Sequence, residues 1–463
     1  MPTQPTAKSK PTPHPVDVLP LFKRLLPSRT ITALVTATGK RFYQRLFLPS
    51  VIVWGFAFQR LNPDHTCDAA VSYLASGAAD ELCPTLSVRM SDNTAGYCKA
   101  RVRLPLGVLQ GALRHTAHAL HDELGAAGLW QGRRVYLLDG STLVLPAAAE
   151  LIDHYGRPSN QHGEAHWPLL RLVVGFDLYS GTAAAVAEGP YRDSEQALAV
   201  RVISELGARS VCVGDRNFGV YHVVQVAQHH GTDVVFRLTA SRAKALAHGS
   251  LRPGDDLWVE WSPSRHDTCE PDLPTLPVVG RLIYVRLERP GFRPKDLYLF
   301  TTLTDREQYP LLELVQLYGR RWEVELDLRH VKTTLDMASL AGKSVEMVRK
   351  ELWAGLLTYN LVRGLMGLAA QRAGLAPLVL SFARCWRRIS DTARTVRSGA
   401  TLSEMEATLE RLLNRLARCR LPKRKAFRIE PRAAWGRPRV FPRLNGTREA
   451  ARQAVLAKMA QES

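Results

Sequence analysis

The sequence predicts a mixed α/β fold in which a sheet lies between helices, with a β-rich insertion and with helical regions at both ends of the chain. Short apolar runs typical of buried strands alternate with amphipathic helical segments over residues 129–241. Glycine, proline and aspartate then recur among short alternating runs over residues 242–295, a pattern that predicts about five short strands. The sheet and its flanking helices resume over residues 296–385.

Within the first part of the predicted sheet, the elements follow one another as strand, hairpin, helix, strand, helix and strand. Strands are indicated by apolar and β-branched runs, the hairpin by a Tyr-Ser-Gly turn, and the helices by amphipathic periodicity. The predicted elements are strands at 135–138, 211–213 and 233–241, a hairpin over 169–189, and helices over 194–207 and 220–228.

The chain of 463 residues carries a net charge of +19. Such an excess of positive charge indicates a polyanionic partner, and nucleic acid is the usual polyanion. An anionic membrane surface is the rival partner, but no stretch runs long enough without charges to span a bilayer. Seven scattered cysteines without a CxxC pair argue against a zinc ribbon or a disulfide framework, and the lack of a GxxxxGK[ST] motif argues against a P-loop ATPase.

The beginning of the chain predicts a lead-in followed by a helical region. Residues 1–18 carry proline and lysine without the apolar segment of a signal peptide, which predicts a disordered lead-in and a cytoplasmic protein. Residues 19–128 predict a helical N-terminal DNA-binding region. Within it His115, His118 and His121 repeat at three-residue steps, which places the outer two about 120° apart around a helix and about 9 Å apart along it. We therefore expect surface residues rather than ligands of one ion.

Two aspartates directly follow predicted strands. Asp139 comes after the apolar run 135–138, and Asp215 comes just after the run 211–213. A buried strand holds the residue at its end rigidly, which makes this a favoured position for a catalytic carboxylate. Each aspartate also has a purely structural interpretation: Asp139 could belong to the Asp-Gly turn of a β-hairpin, and Asp215 could belong to a polar turn.

Residues 318–335 contain no proline and predict an uninterrupted helix. One face of this helix carries a phenol, two cations and a single carboxylate within about 60° of one another. These residues are Tyr318, Arg321, Glu325 and Lys332. The other two acids, Glu323 and Asp327, point well away from this face. A carboxylate between cations suits a phosphodiester, because the cations and the phenol hold phosphate oxygens while the acid holds a divalent metal. The alternative is an ordinary i to i+4 ion pair of Glu325 with Arg329.

Taken together, Asp139, Asp215 and Glu325 lie in one predicted α/β unit, at successive spacings of 76 and 110 in residue number and with the β-rich insertion before the glutamate. In these features the chain resembles the DDE transposases of bacterial insertion sequences, in the branch with a β-rich insertion in the catalytic domain. The signature of that branch, Y-x2-R-x3-E-x6-K, is satisfied at every position by the four residues of the helix face. The segment VGDRNFG (213–219) resembles the second-aspartate block, and LLDGST (137–142) resembles the first.

This resemblance spans residues 30–452 in the order of elements and implies an RNase H-like core with a mixed five-stranded sheet. It also implies two Mg2+ (or Mn2+) ions, with Asp139 bridging both and with Asp215 and Glu325 each completing one site. Two such ions about 4 Å apart serve the attacking and the leaving oxygen of a phosphodiester. The implied activity is cut-and-paste transposition of double-stranded DNA, from nicking at the terminal inverted repeats, through a hairpin intermediate, to attack on target DNA by the freed 3′-hydroxyl. A homodimer is implied in the synaptic complex.

The resemblance assigns phosphate contacts to the rest of the helix face. Tyr318 would bind phosphate and would not act as a nucleophile, since no covalent protein–DNA link is required. Arg321 and Lys332 would bind phosphate likewise and neutralise charge near the scissile bond.

One position departs from the family pattern. Relatives carry a tryptophan on the strand that enters the final helix, where it stacks on a flipped base. The matching strand here, DLYLFTTL, has Tyr298 and no tryptophan. Tyr298 can take that role, or Trp258 or Trp261 of the insertion can reach the site. The alternative reading makes these insertion aromatics part of the core.

The C-terminal region, residues 386–463, is predicted to be helical and basic. Twelve Arg or Lys stand against a single acid over residues 411–443, and Lys423, Arg424 and Lys425 form one cluster among them. A charge run is usually a solvated tail. With the charge of the whole chain, it favours an arm that follows DNA phosphates.

Two other function classes stay open. A plain metal-dependent nuclease on the same core would share the three acids, but it would not need the phosphate-binding helix face, the insertion or the basic tail. An inactive, transposase-derived DNA-binding regulator would typically have lost an acid, whereas all three are present here.

Overall fold

The computed structural model describes residues 22, 24–42, 46–78, 86–160, 163–265, 267, 269–287, 295–395, 402–422 and 446–461. The strands are β1 (Val135–Val144), β2 (Ser159–Asn160), β3 (Gly163–Glu164), β4 (Leu169–Asp177), β5 (Ala183–Pro190), β6 (Val211–Gly214), β7 (Asp233–Arg237), β8 (Asp256–Trp261), β9 (Val278–Leu287) and β10 (Lys295–Thr301). The α-helices of the N-terminal region are α1 (Ser28–Ala37), α2 (Pro49–Leu61), α3 (Cys67–Tyr73), α4 (Leu86–Arg89), α5 (Ala95–Arg103) and α6 (Leu106–Leu124). Those that follow are α7 (Ala149–Tyr155), α8 (Glu195–Glu205), α9 (Tyr221–His229), α10 (Ala240–Leu246), α11 (Leu311–Gly319), α12 (Glu323–Arg329), α13 (Val345–Arg372), α14 (Phe382–Thr395), α15 (Leu402–Ala417) and α16 (Arg448–Gln461).

Eight of the strands form one sheet, in the order β5-β4-β1-β6-β7-β10-β9-β8. Strands β1, β6 and β7 are parallel, whereas β4 pairs antiparallel with both β1 and β5. Counted along the chain, the first five strands of this sheet are therefore arranged 3-2-1-4-5 with the second antiparallel to the first. This is the RNase H-like arrangement, so the predicted fold class is confirmed.

Helices cover both faces of the sheet. On one face α8, α9 and α10 share a core with Tyr136 and Leu138. On the other face α2, α6, α11, α12 and α13 share a core with Val135 and Leu137. The central element of that second layer is the 28-residue helix α13, which is buried along most of its length. Neither α13 nor any other helix in the described ranges has the length and apolar content needed to span a bilayer.

The insertion extends the catalytic sheet instead of forming a separate β unit, which corrects the expectation of about five short strands. Apart from the first residue of β10, the described part of residues 242–295 contains the two strands β8 and β9. Strand β9 pairs antiparallel with β8 and with β10, and β10 pairs antiparallel with β7. Much of β9 and β10 is buried, and a buried strand needs neighbours on both sides to satisfy its backbone.

The first strand is longer than predicted. It runs through Asp139 and Gly140 to Val144, so the reading of Asp-Gly as a hairpin turn is wrong. The reason is its antiparallel neighbour β4, which pairs with β1 as far as Val144, whereas the parallel pairing with β6 stops at Leu137. The predicted hairpin over residues 169–189 is confirmed as β4 and β5, and its turn contains Gly181 with a φ of 72°.

The three histidines of α6 differ in their surroundings. His118 is exposed and His115 is half-buried, as expected of a helix with one polar face. His121 is 8% exposed, so its expected surface position is wrong. It lies on the side of α6 that packs against the sheet, with its Nε2 3.5 Å from a carboxylate oxygen of Asp177. Burial lowers the pKa of His121 to about 4, although Asp177 acts in the opposite direction.

Candidate active site

The register of β1 and β6 brings Asp139 and Asp215 to neighbouring positions. Leu137 pairs with Val213 in the parallel ladder, and each aspartate follows its member of that pair by two residues, Asp139 still within β1 and Asp215 just past the end of β6. Because side chains alternate between faces along a strand, Asp139 belongs to the same face as Leu137, and Asp215 lies within electrostatic reach of it. That face is the one covered by α12, whose Val324 and Leu328 share its core. The two strand-end acids are therefore placed as the sequence predicted, although the first lies within its strand.

Backbone amides hold both aspartates. The Gly140 N–H donates to Asp139 Oδ1 at 2.9 Å, and the Asn217 N–H donates to Asp215 Oδ1 at 2.8 Å. Burial raises the pKa of the Asp139 carboxyl to about 6, and the negative charges of Asp215 and Glu325 act in the same direction. The Gly140 amide and the Arg321 guanidinium oppose that rise. Asp139 is thus a half-buried acid within electrostatic reach of both other acids.

The segment that carries the glutamate is helical but not one regular helix, which corrects the prediction for residues 318–335. Helix α11 ends at Gly319, a 3₁₀ turn spans Arg320–Trp322, α12 follows, and a π turn spans His330–Thr334. Glycine is a poor helix former, and a tightened turn directly after one is a common way for a helix to end. Single widened turns of the π type are found mostly within or at the ends of α-helices.

The phosphate-binding face predicted on this segment points towards the two aspartates. Arg321 Nη2 lies 2.9 Å from Glu325 Oε1, and Lys332 Nζ donates to the Ser141 hydroxyl on β1 at 3.2 Å. Tyr318 is 9% exposed and lies within electrostatic reach of Arg321 and Asp215. Glu325 therefore does form an i to i+4 ion pair, but with Arg321 and not with the Arg329 of the alternative reading.

The remaining acids of the segment point away from the site, as predicted. Glu323 pairs with Arg320 at 3.1 Å. Asp327 is buried and forms an ion pair with Arg363 of α13, with the Tyr359 hydroxyl 3.1 Å from the same carboxylate oxygen. Burial raises the pKa of Asp327 to about 6, and the charge of Arg363 opposes the rise. This buried cluster fixes α12 on the central helix, and with it the position of Glu325.

Arg237 is a site residue that sequence reasoning missed. It is the last residue of β7, on the same face as Tyr318, and its positive charge lowers the pKa of the Tyr318 hydroxyl against the larger effect of burial. Its Nε is buried and has no hydrogen-bond partner among the described residues. The signal available in the sequence was an arginine at the end of the run DVVFR (233–237), the strand that follows the helix after the second-aspartate block.

The aromatic candidates for base stacking are not brought to this face. Tyr298 is 9% exposed and stacks on Tyr284 with ring centroids 4.5 Å apart, within the core on the opposite face of the sheet. Trp261 is buried in that same core, as the alternative reading had it. Trp258 is 56% exposed but stands on β8, the strand at the far edge of the sheet. No described contact joins any of the three to the acids.

Lys423, Arg424 and Lys425, the predicted cluster of the basic tail, lie outside the described residues. The described part of the C-terminal region is helical, as predicted, in α14, α15 and α16.

The three carboxylates suit divalent cations. Oxygen donors with negative charge are the ligands that Mg2+ and Mn2+ prefer. Asp139 is half-buried within electrostatic reach of two further acids, its pKa is raised, and a bound cation would offset this negative charge. Within the described ranges, no three His, Cys, Asp or Glu side chains already converge as ligands of one ion. Glu325 instead faces Arg321, with its side chain 58% exposed.

Comparison with known proteins agrees with this geometry. Residues 130–361, half of the chain, match the family described as Transposase DDE domain. The chain is 25% identical over 402 residues to the transposase InsG for insertion sequence element IS4 of Escherichia coli (strain K12), which covers 85% of this chain and 86% of that protein. It is 24% identical over 218 residues to the putative transposase InsZ of the same organism, covering 44% of this chain and 67% of that one.

Among solved structures, the chain is similar to the piggyBac transposase in a cryo-EM structure of its synaptic complex with hairpin DNA. The identity is 12% and the TM-score 0.41, with 89% of this chain and 86% of that chain covered. The family match covers the RNase H-like sheet together with all three acids and the helix face that points at them. The chain belongs to the DDE transposase family.

Proposed function

We propose that this DNA transposase binds the terminal inverted repeats of its insertion sequence and catalyses cut-and-paste transposition by two-metal phosphodiester hydrolysis and strand transfer. One observation carries the proposal: Asp139 on β1 and Asp215 just past the end of β6 lie within electrostatic reach of each other, and the segment bearing Glu325, Arg321 and Lys332 packs over the sheet face of Asp139.

Asp139, Asp215 and Glu325 are the residues that would hold two Mg2+ or Mn2+ ions. When bound, such a pair stabilises the attacking and the leaving oxygen of an in-line displacement. The Gly140 and Asn217 amides keep one oxygen of each aspartate occupied and leave the other available.

The cations and the phenol of the helix face would hold the DNA strand. Burial raises the pKa of the Tyr318 hydroxyl above its ordinary value, so at neutral pH this group is a neutral hydrogen-bond donor and not a nucleophile. Lys332, which reaches across to Ser141, and Arg237, which has a buried Nε without a partner, would provide further charge for phosphate oxygens.

Arg321 would change partner when DNA arrives. It is the residue that neutralises Glu325 in the described structure. A phosphate offers the guanidinium a bidentate partner of equal or greater charge, and a carboxylate released in this way can join the other two acids. The glutamate then completes the site only when a DNA backbone is in place.

The partners of the proposed reaction are the two element ends, a target duplex and a second copy of the chain in the synaptic complex. The N-terminal helices and the basic tail would supply sequence-independent and end-specific DNA contacts, the tail on the strength of its charge. The DNA of the nucleoid would then be the substrate in the cell.

The proposal is tested with supercoiled plasmid that carries the element's own ends, incubated with Mg2+ or with EDTA. Wild type is compared with Glu325→Gln, and Glu323→Gln serves as the matched control because Glu323 lies on the same helix but pairs with Arg320 away from the site. We expect Mg2+-dependent cleavage confined to the ends, which is lost in Glu325→Gln and kept in Glu323→Gln. Hairpin ends among the products would support the hairpin route.

Two other results would contradict the proposal. Cleavage spread over the whole plasmid would indicate a metal-dependent nuclease. Specific binding to the ends without any cleavage by wild type would indicate an inactive DNA-binding regulator.

A further inference from the structure

The N-terminal turn of α8 lies directly beside both aspartate positions, on the face of the sheet opposite the proposed metal site. Glu195 is the first residue of this helix, and the Ser194 hydroxyl caps the helix by accepting from the Ala197 N–H at 3.0 Å. The Glu195 carboxyl packs against the backbone of Gly140: a Cβ atom added at Gly140 would lie 2.6 Å from Glu195 Cδ. The side chain thus occupies the space that the glycine after Asp139 leaves free.

The same carboxylate is joined to the loop that carries the second aspartate. Glu195 Oε2 accepts a hydrogen bond from Asn217 Nδ2 at 2.8 Å. The neighbouring Gln196 donates from its Nε2 to the Asn217 carbonyl at 2.9 Å. The Asn217 N–H in turn donates to Asp215 Oδ1 at 2.8 Å. A continuous path of hydrogen bonds therefore runs from Glu195 through Asn217 to the carboxylate of Asp215.

The charge of Glu195 is unusual for a residue with only a packing role. Among the residues that the structure describes, no Lys, Arg or His forms an ion pair with it, although two catalytic acids lie on the adjoining strand and loop. Its favourable partners are the positive end of the α8 dipole and the Asn217 amide. A carboxylate placed there polarises the amide and holds Asn217 in one orientation.

We propose that Glu195 is a positioning residue that orients Asp215, through Asn217, for binding divalent cations. This inference rests on the proposed function and goes beyond it, because Glu195 acts through Asn217 and is not one of the three acids proposed to hold the ions. Residues that orient metal ligands typically change metal affinity by about 10–100-fold when they are removed. The role predicts a loss in metal affinity, whereas a role in packing alone predicts a loss in stability.

The test compares wild type with Glu195→Ala, Glu195→Gln and Asn217→Ala. Glu205→Ala is the matched control, since Glu205 ends the same helix at the surface, 3.5 Å from Arg114. Two quantities are measured: Mn2+ binding to the protein–DNA complex, from the loss of the free Mn2+ signal in electron paramagnetic resonance, and the Mn2+ concentration for half-maximal end cleavage. Thermal unfolding in EDTA reports on the fold.

We expect Glu195→Ala and Asn217→Ala to weaken Mn2+ binding and to raise the half-maximal Mn2+ concentration by about 10–100-fold, with the rate at saturating Mn2+ largely restored. Glu195→Gln keeps an oxygen that can accept the hydrogen bond from Asn217, so its Mn2+ affinity should stay much closer to that of wild type. A variant that combines Glu195→Ala with Asn217→Ala should lose no more Mn2+ affinity than the more affected single variant, because both changes break the same path of hydrogen bonds.

Unchanged Mn2+ binding in a folded Glu195→Ala, while wild type cleaves at the ends, would overturn this inference and leave the proposed function standing. Failure of wild type to bind Mn2+ or to cleave would overturn the proposed function itself. If Glu195→Ala does not fold, Asn217→Ala provides the same test. It removes the side-chain hydrogen bond to Glu195 but keeps the backbone N–H that donates to Asp215.

Discussion

Replacing Asp139 by asparagine should stabilise the metal-free protein at neutral and alkaline pH. The pKa of this carboxyl is about 6 in the folded protein, against about 3.9 in an unfolded chain. The folded state therefore holds the proton more tightly than the unfolded state does. Stability from this group is greatest below the unfolded pKa and is lost as the pH rises through about 6. Asparagine is uncharged throughout this pH range, and it keeps an oxygen that can accept a hydrogen bond from the Gly140 N–H.

The size of the effect follows from the difference in pKa. About two pKa units correspond to roughly 3 kcal/mol of unfolding free energy once the pH is well above 6. An unfolding entropy of about 2.1 cal/mol/K per residue gives roughly 1 kcal/mol/K for the whole chain. We therefore expect Asp139→Asn to raise Tm by ~3 °C near pH 8 and by almost nothing near pH 4.

The assay is differential scanning calorimetry in EDTA at several pH values between these limits. Asp153→Asn, on the exposed side of α7, is the control for the loss of one negative charge. A gain in Tm of Asp139→Asn that is equal at low and high pH, or that is shared by Asp153→Asn, would refute the reasoning. Added Mg2+ should reduce the difference in Tm at high pH, because Mg2+ that binds the two aspartates stabilises the folded wild type.

Two further substitutions test the parts that hold the site together. Asp327→Ala leaves Arg363 buried without its carboxylate. We expect the unfolding free energy, measured by thermal or urea unfolding, to fall by about 3–5 kcal/mol. A loss below about 1 kcal/mol would mean that the cluster does not anchor α12. Arg237→Ala should weaken binding to the element ends and reduce the slope of log affinity against log salt concentration by about 1. The thermal stability of the protein should change little. An unchanged salt slope would exclude a phosphate contact of Arg237.

The parts of the site that the sequence predicted are those set by local pattern. A short apolar run followed by an acid located Asp139 and Asp215, and the spacing of four residue types located the helix face with Glu325. The antiparallel hairpin of β4 and β5 was visible from its turn residues. Each of these signals lies within about twenty residues of chain, where periodicity and turn chemistry decide the structure.

The parts that were missed depend on contacts between distant segments. The length of β1 is set by its pairing with β4, and the insertion joins the sheet because β10 pairs with both β7 and β9. His121 continues the buried stripe of α6, four residues after Ala117, but its contact with Asp177 depends on the packing of α6 against the sheet. The sequence alone indicates only that Arg237 is a polar residue at the end of a strand; its proximity to Tyr318 depends on tertiary structure. Such partners are chosen by tertiary packing, which overrides local propensity.

The pair of Arg321 and Glu325 connects DNA binding to metal binding in one step. In the described structure the arginine satisfies the glutamate, so the glutamate joins the two aspartates only at the cost of that ion pair. A DNA phosphate that takes over Arg321 removes this cost, and metal binding should then be tighter with DNA than without it. By thermodynamic linkage the effect is reciprocal, so bound metal should tighten the hold on a phosphate at Arg321 by the same factor. The same pair would keep a DNA-free transposase from assembling a complete metal site, and it would limit hydrolysis to DNA that is correctly seated on the helix face.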